Sequence, residues 1–324
     1  MSTNIIIQRI NKGNLFFSIL SLLSSLLLFL LIIFKSQLRT SLTYKFLMYI
    51  FLSEILNSIG NIIQSVSYDK DNQIVILFFI SFSDIFTNLL FLFFSISSIE
   101  LIKKANRLIK DKTKTYIIKA FIISLLYTVI VVIIGFIASN ASNASNDEKK
   151  ITVRFHDYYS YQDKEKKEFS LFSYFFVSLI HTAFIMIITF STINNFYDLL
   201  LFMFEKLKND KVNAHNIALL LKILFRYPLI LIIILLFFII RLGFVTFCDE
   251  NNLLRDLFYL FSESLFCLRG FLISLNTIKS SKIQNIYNKF IQVNIKHYLL
   301  LNFGQFSSRK ISEVKNVEEE LINE

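Results

Sequence analysis

Five ionisable side chains, Glu54, Asp84, His181, Glu263 and Arg269, stand inside long apolar runs of this 324-residue chain. A charge at such a depth costs several kcal/mol unless it is paired or hydrated, so each of them calls for a partner and a role. The chemistry open to them is ion pairing and ligand binding. Enzyme signatures are missing: no two histidines stand at metal-ligand spacing, no glycine-rich phosphate loop or nucleophile elbow occurs, and there are only six glycines. The residues are therefore read as belonging to a non-enzyme that needs no metal or cofactor.

Spacing sorts the five into two groups. Glu54 lies nine residues beyond Lys45, about 13 Å along a helix, and Arg269 stands about 10 to 15 Å above the inner end of its own run. The matched depths predict an ion pair, which either fixes helix packing or rearranges as a switch. Asp84 and His181 fall ten residues below the outer ends of their runs and Glu263 six below the start of its own, all read as near mid-depth. They are expected to face a common cavity open to the outside, where two acids favour a cationic or donor-rich ligand. The alternatives are structural: His181 bonds a neighbouring helix, and Asp84 or Glu263 is protonated or paired with Arg269 or Arg241. Arg241, near the outer end of the sixth run, would attract an anion and keeps the ligand's charge open.

Seven apolar stretches must position these groups: 15–34, 46–66, 74–99, 120–138, 171–193, 223–240 and 257–275. Each approaches the roughly 20 residues that a helix needs to cross a bilayer core of about 30 Å. They are too long and too evenly apolar for barrel strands, so the fold class is an all-α membrane protein, a seven-transmembrane helix bundle. Residues 1–280 form that bundle, 281–300 an interfacial amphipathic helix, and 301–324 a disordered cytoplasmic tail. The amphipathic reading rests on Ile283, Ile286, Phe290 and Ile291 recurring along one face, with Lys282, Lys289 and Lys296 along its edge. Pro228, the only proline, removes the bond to the Leu224 carbonyl and bends the sixth helix, as a hinge or as a static kink.

Charge sets the topology. The net charge is +10, and most of the lysine and arginine falls in alternate loops and in the tail after Thr277, which the positive-inside bias assigns to the cytoplasm. The N-terminus is then outside. Arg9 and Lys12 lie on the less favoured side, and no cleavage site for a signal peptide follows them. Lys103, Lys104 and Arg107 in the second inner loop, with Lys206, Lys208 and Lys211 in the third, flank the inner face and are read either as a partner site or as topogenic charge. Basic character alone does not imply nucleic acid. Asn140 and Asn143 each open an Asn-Ala-Ser sequon in the long outer loop, but they sit close to the membrane for modification. Cys248 and Cys267 differ too much in depth to form a disulfide.

Three segments resemble cyclic-AMP-receptor-like (class E) and secretin-like G-protein-coupled receptors. The second run, from Tyr49 to Gly60, contains Ser53-Glu54-Ile-Leu, similar to the Ser-Asp-Leu-Leu of the family's second helix, with Glu54 in place of the Asp. The sixth run opens Arg226-Tyr-Pro-Leu-Ile and closes at Arg241, and the seventh carries Leu268-Arg-Gly-Phe-Leu-Ile-Ser274, similar to the family's Leu-Gln-Gly segment with Arg269 replacing the Gln. The third run lacks a cysteine at its outer end, and neither Asp-Arg-Tyr nor Asn-Pro-x-x-Tyr occurs. The resemblance implies a plasma-membrane receptor that transmits an extracellular ligand signal to a heterotrimeric G protein, with Gly270 and Pro228 among its switch or packing residues. A seven-helix scaffold or transporter is the alternative. A transporter is expected to show internal repeats and broken helices, whereas these runs read as mostly continuous.

The topology has a direct test. Epitope tags within 146–150 and after Glu324 should be reached by antibody in intact cells and only after permeabilisation, respectively; the reverse pattern rejects the orientation.

Overall fold

The computed structural model describes residues 3–66, 73–103, 112–143, 167–207, 226–227, 229–237, 239–240, 253–280, 283–286 and 288. These residues are nearly all helical and include no strand. In chain order the helices are α1 (Thr3–Phe34), α2 (Ser36–Thr40), α3 (Leu42–Val66), α4 (Gln73–Lys103), α5 (Thr113–Asn143), α6 (Lys167–Leu207), α7 (229–237), α8 (Leu253–Cys267) and α9 (Arg269–Ile278). Among the described residues, four stretches are long and apolar enough to cross a membrane: Gly13–Phe34, Leu42–Val66, Val75–Glu100 and Thr113–Ile134. Several such helices in one chain make it a multi-pass helical membrane protein, since in lipid only intrahelical bonding satisfies the backbone of such a segment.

The solvent-facing logic of a soluble protein is inverted here. Large apolar side chains point outward, among them Phe34 (77% exposed), Ile187 (64%) and Phe190 (64%), while Ser18, Ser21 and Ser25 of α1 and Ser53, Glu54, Asn57, Ser58 and Asn61 of α3 are buried. These polar residues recur at helical spacing, so each helix turns a polar stripe inward and leaves its hydrocarbon side for lipid. The same criterion ranks the helices. The most apolar window of α4 is 78% buried, against 28% for α1 and for α5, so α4 is central and the other two are peripheral. α4 packs on α3, α5 and α6, and α1 on α3, α8 and α9. Aromatic rings fill the gaps: Phe46 meets Phe94, Phe94 meets Phe196, and Phe82 and Phe86 both meet Phe121 edge-on.

Helices outrun the hydropathy signal, because backbone bonding continues into polar ends where apolar content stops. α1 begins at Thr3 and so includes Arg9 and Lys12, α6 extends to Leu207, and α5 continues to Asn143. That last boundary runs into the segment expected as an outer loop: Asn140 and Asn143 belong to the end of a helix, beyond the apolar span that stops at Ile134. The seventh run is also not one regular helix. Leu268 forms a turn between α8 and α9, though its backbone stays near helical values (φ −81°, ψ −4°) and the bonds from Leu268 N to Ser264 O and from Leu272 N to Leu268 O, both 2.9 Å, span it. The run is a locally distorted helix whose irregularity directly precedes Arg269. In the region expected to be an amphipathic helix, residues 283–286 and 288 are helical, with Ile283 buried in the core and Ile286 packed against it. Pro228 and Arg241 lie outside the described residues, although Tyr227 and Leu229 beside the proline are helical.

Gly270 marks the closest approach between helices. A Cβ built there would stand 2.4 Å from Ser21 Oγ, 2.7 Å from Ser25 Oγ and 3.1 Å from Glu54 Cβ, so α9 lies against α1 and α3 with no room for a methyl group. Both hydroxyls would have to swing away, and Ser21 would lose its 3.2 Å bond from Ser58. Gly270→Ala should lower the thermal stability of the purified chain, by about 1 to 3 kcal/mol as overpacking does. Most of that loss should be recovered when Ser21 and Ser25 are also changed to Ala; an equal loss in both backgrounds would place the conflict elsewhere.

Candidate functional site

Arg269 is the first residue of α9, and its side chain is 3% exposed. Because Gly270 lets α9 press against α3, the guanidinium reaches Glu54: its Nε donates to Oε1 at 2.9 Å and to Oε2 at 3.0 Å. Nη1 donates to Asp84 Oδ1 on α4. The pairing expected from matched depth is therefore present, with a second carboxylate added. One cation joins three helices. Its planar fork suits this, since the donors leave in fixed and different directions. The ring of Phe266, three residues earlier, lies 5.2 Å from the guanidinium carbon and covers part of its face.

The carboxylates are held from behind. Thr87, one turn beyond Asp84 on α4, donates to Glu54 Oε1 at 2.9 Å and lies 2.9 Å from Ser53 Oγ, which donates to the Ser83 carbonyl at 2.9 Å. On the other side, His181 of α6 places Nε2 3.6 Å from Asp84 Oδ2, and its Nδ1 lies 2.8 Å from the hydroxyl of Tyr127 on α5. The Tyr127 ring also stacks on Phe184, with centroids 5.0 Å apart. Asn88 donates to the Asp84 carbonyl at 2.7 Å and accepts from Thr189 of α6 at 3.4 Å. The network thus runs from α3 to α6 through α4, the central helix. All four ionisable members, Glu54, Asp84, His181 and Arg269, are buried.

A cavity of about 40 Å³ adjoins it, with Asp84, Asn88, His181, Thr182 and Arg269 among its walls. The expected triad is regrouped as a result. Asp84 and His181 do share a cavity, but Arg269 takes the third place; Glu263 is buried on α8 and does not line this space. Nor is Asp84 an unmet acid awaiting a cation, because Arg269 already contacts it. Arg269 Nη2, in contrast, is buried without a hydrogen-bond partner among the described residues. No group of three His, Cys, Asp or Glu among these residues is placed to hold a metal ion.

Tyr127, Thr87 and Asn88 were not singled out from the sequence, and Ser53 was quoted only as part of the Ser53-Glu54 motif. A signal for two of them existed: Thr87 and Asn88 follow Asp84 by three and four residues, on the same helix face. Tyr127 carried none, as one aromatic among many in an apolar run. Of the basic residues proposed for the inner face, Lys103 ends α4 and Lys206 lies in α6, whereas Lys104, Arg107, Lys208 and Lys211 fall outside the described residues. Cys267 is a buried free thiol, and Cys248 lies outside the described residues.

Comparison with known proteins adds no relative: no protein-family model matches the chain, and neither does any curated protein.

Shared use of Arg269 changes what mutation should do. Removing one partner of a buried ion pair costs about 3 to 5 kcal/mol, chiefly by leaving the other charge unmet. Arg269→Gln strands two carboxylates, so it should reduce folded yield and thermal stability more than Glu54→Gln or Asp84→Asn. Recovery should be partial when Glu54→Gln is added and larger when Asp84→Asn is added as well. Additive losses across this series, read by thermal unfolding of the purified variants, would mean that the three groups do not interact.

Proposed function

We propose that the chain is a seven-helix membrane receptor, with its N-terminus outside and its tail in the cytoplasm, that passes a signal from an extracellular ligand to a heterotrimeric G protein. In this reading, 171–193, 223–240 and 257–275 supply the three spans beyond the four that are apolar along their described length. The observation that carries it is the position of Arg269. One buried guanidinium ties α3, α4 and α9 together beside a cavity that α6 and α7 also line. A ligand entering that cavity can compete for or reinforce the same charged groups, and so bias how the helices sit against one another. At the other end of α9, the Tyr227 hydroxyl lies 2.8 Å from Thr277 Oγ1, and the Tyr44 hydroxyl lies 2.8 Å from Ser280 Oγ. A shift of α9 therefore bears on the segment beside Pro228, where the sixth helix would swing to open the inner face. Asp84, His181 and Glu263, with Arg241 near the outer end of the sixth run, are the ligand-side residues of this proposal, and Arg269 lies beside them.

A transporter is the second reading, favoured by one observation. The turn at Leu268 interrupts the seventh run directly beside a buried charge, and irregular backbone next to a charged site is how transporter helices line their substrate. The two readings separate in one experiment. Expressed in cells with G-protein dissociation sensors, the receptor should raise basal G-protein activation above that of an Arg269→Gln variant matched for surface level. Absent activation with every G-protein class tested, together with solute uptake into vesicles, would replace the receptor by the transporter.

The partner site follows from charge. Neutralising Lys103, Lys104 and Arg107 together, or Lys206, Lys208 and Lys211, should reduce G-protein activation by at least tenfold while antibody counts at the surface stay unchanged. Preserved activation removes these loops from the contact.

A further inference from the structure

Two buried hydroxyl contacts lie at the inner end of the bundle, apart from the charged network. Tyr44, in the first turn of α3, places its hydroxyl 2.8 Å from Ser280 Oγ, and Tyr227, beside Pro228, places its own 2.8 Å from Thr277 Oγ1. All four residues are buried. The second contact has a direction. Thr277 has one hydroxyl proton and gives it to the carbonyl of Ile273, one turn back on α9, at 2.8 Å, so the Tyr227 O–H is the donor and Thr277 Oγ1 the acceptor. Two bonds in series thus tie the tyrosine to the backbone of α9. Residues 269, 273 and 277 share one face of that helix, so the tie is made on the face that carries Arg269. The Tyr227 ring also stacks on Phe91 of α4, with centroids 5.7 Å apart and planes 29° apart. This one side chain therefore joins the segment before α7 to both α4 and α9.

A neighbouring group opposes the closure. Asn276 precedes Thr277 and is 6% exposed, and its Nδ2 is buried with no hydrogen-bond partner among the described residues. A buried donor left unmet carries the cost of its desolvation, and water admitted at the inner end relieves it. Opening thus breaks the two tyrosine contacts and hydrates the amide, so the two features act with opposite sign. We propose that Tyr44 and Tyr227 form an autoinhibitory latch that holds α3 and the segment before α7 against the end of α9, and that the unmet amide of Asn276 weights the same equilibrium toward opening. The net worth of one such hydroxyl bond corresponds to a factor of about 2 to 12 in the ratio of closed to open forms. The latch names the regulation of the receptor reading above and rests on that reading for its effect on a G protein; opening itself needs no partner.

The test reads opening directly. With the full chain purified into lipid nanodiscs, spin labels are attached through non-natural residues at Arg39, which is exposed, and Arg226, which is half-buried, and the distance distribution is measured by double electron–electron resonance. Tyr→Phe keeps each ring and removes the hydroxyl. Tyr44→Phe and Tyr227→Phe should each raise the ratio of long to short distances about 2- to 12-fold, and the double variant should exceed either. Thr277→Val strands the Tyr227 O–H instead of deleting it, so it should open the inner face further than Tyr227→Phe does, and it carries the comparison where a Phe variant does not fold. Asn276→Leu, near in volume and without a donor, should shift the ratio the other way. A folded double variant with wild-type distances overturns the latch, and opening by Asn276→Leu overturns the role given to the amide. Basal G-protein activation should rise in the order of opening. Distances that respond without any such rise would reject the receptor reading and leave the latch standing, whereas unchanged distances with basal activation intact would do the reverse.

Discussion

A guanidinium that cannot be left in hydrocarbon alone is the constraint around which the described bundle is arranged. Arg269 is charged under any physiological condition and is buried among helices, so acids must come to it. Glu54 and Asp84 arrive from two different helices, and their separate anchoring fixes both helices relative to α9. The registers of α3 and α4 against each other are then determined as well, and Thr87, reaching from α4 to Glu54 on α3, closes the loop of contacts. Such a site is costly to build and costly to disturb.

Hydroxyl groups solve a different problem. Ser98, Ser124, Thr128, Thr192 and Thr277 each donate to the carbonyl four residues earlier in their own helix, at 2.7 to 2.8 Å. They need no partner from a neighbouring helix and are small, so they can line an interface at little electrostatic cost while letting backbones approach. Ser21 and Ser25 against Gly270 show how close that approach becomes. The division of labour is physical: self-satisfied hydroxyls permit contact, and charged groups specify which contact forms. Against lipid, where burying one apolar surface on another gains little, specificity of this kind has to come from polar groups.

Much of the fold was legible in the sequence because the bilayer allows few solutions. Long apolar runs had to be helices, polar residues at helical spacing had to face inward, and a buried base had to meet an acid at its own depth, which selected Glu54 for Arg269. Those inferences need only a rise per residue and a transfer cost. Tertiary structure decided everything that depends on the angle around a helix axis and on which helices are neighbours. It brought Asp84 to the same base, left Glu263 off the cavity, and supplied Tyr127 as the partner of His181. It also decided that α5 continues through Asn143 and that Leu268 interrupts the seventh run. Depth is additive along a chain and can be counted from sequence, whereas rotation and adjacency arise from packing all the helices at once.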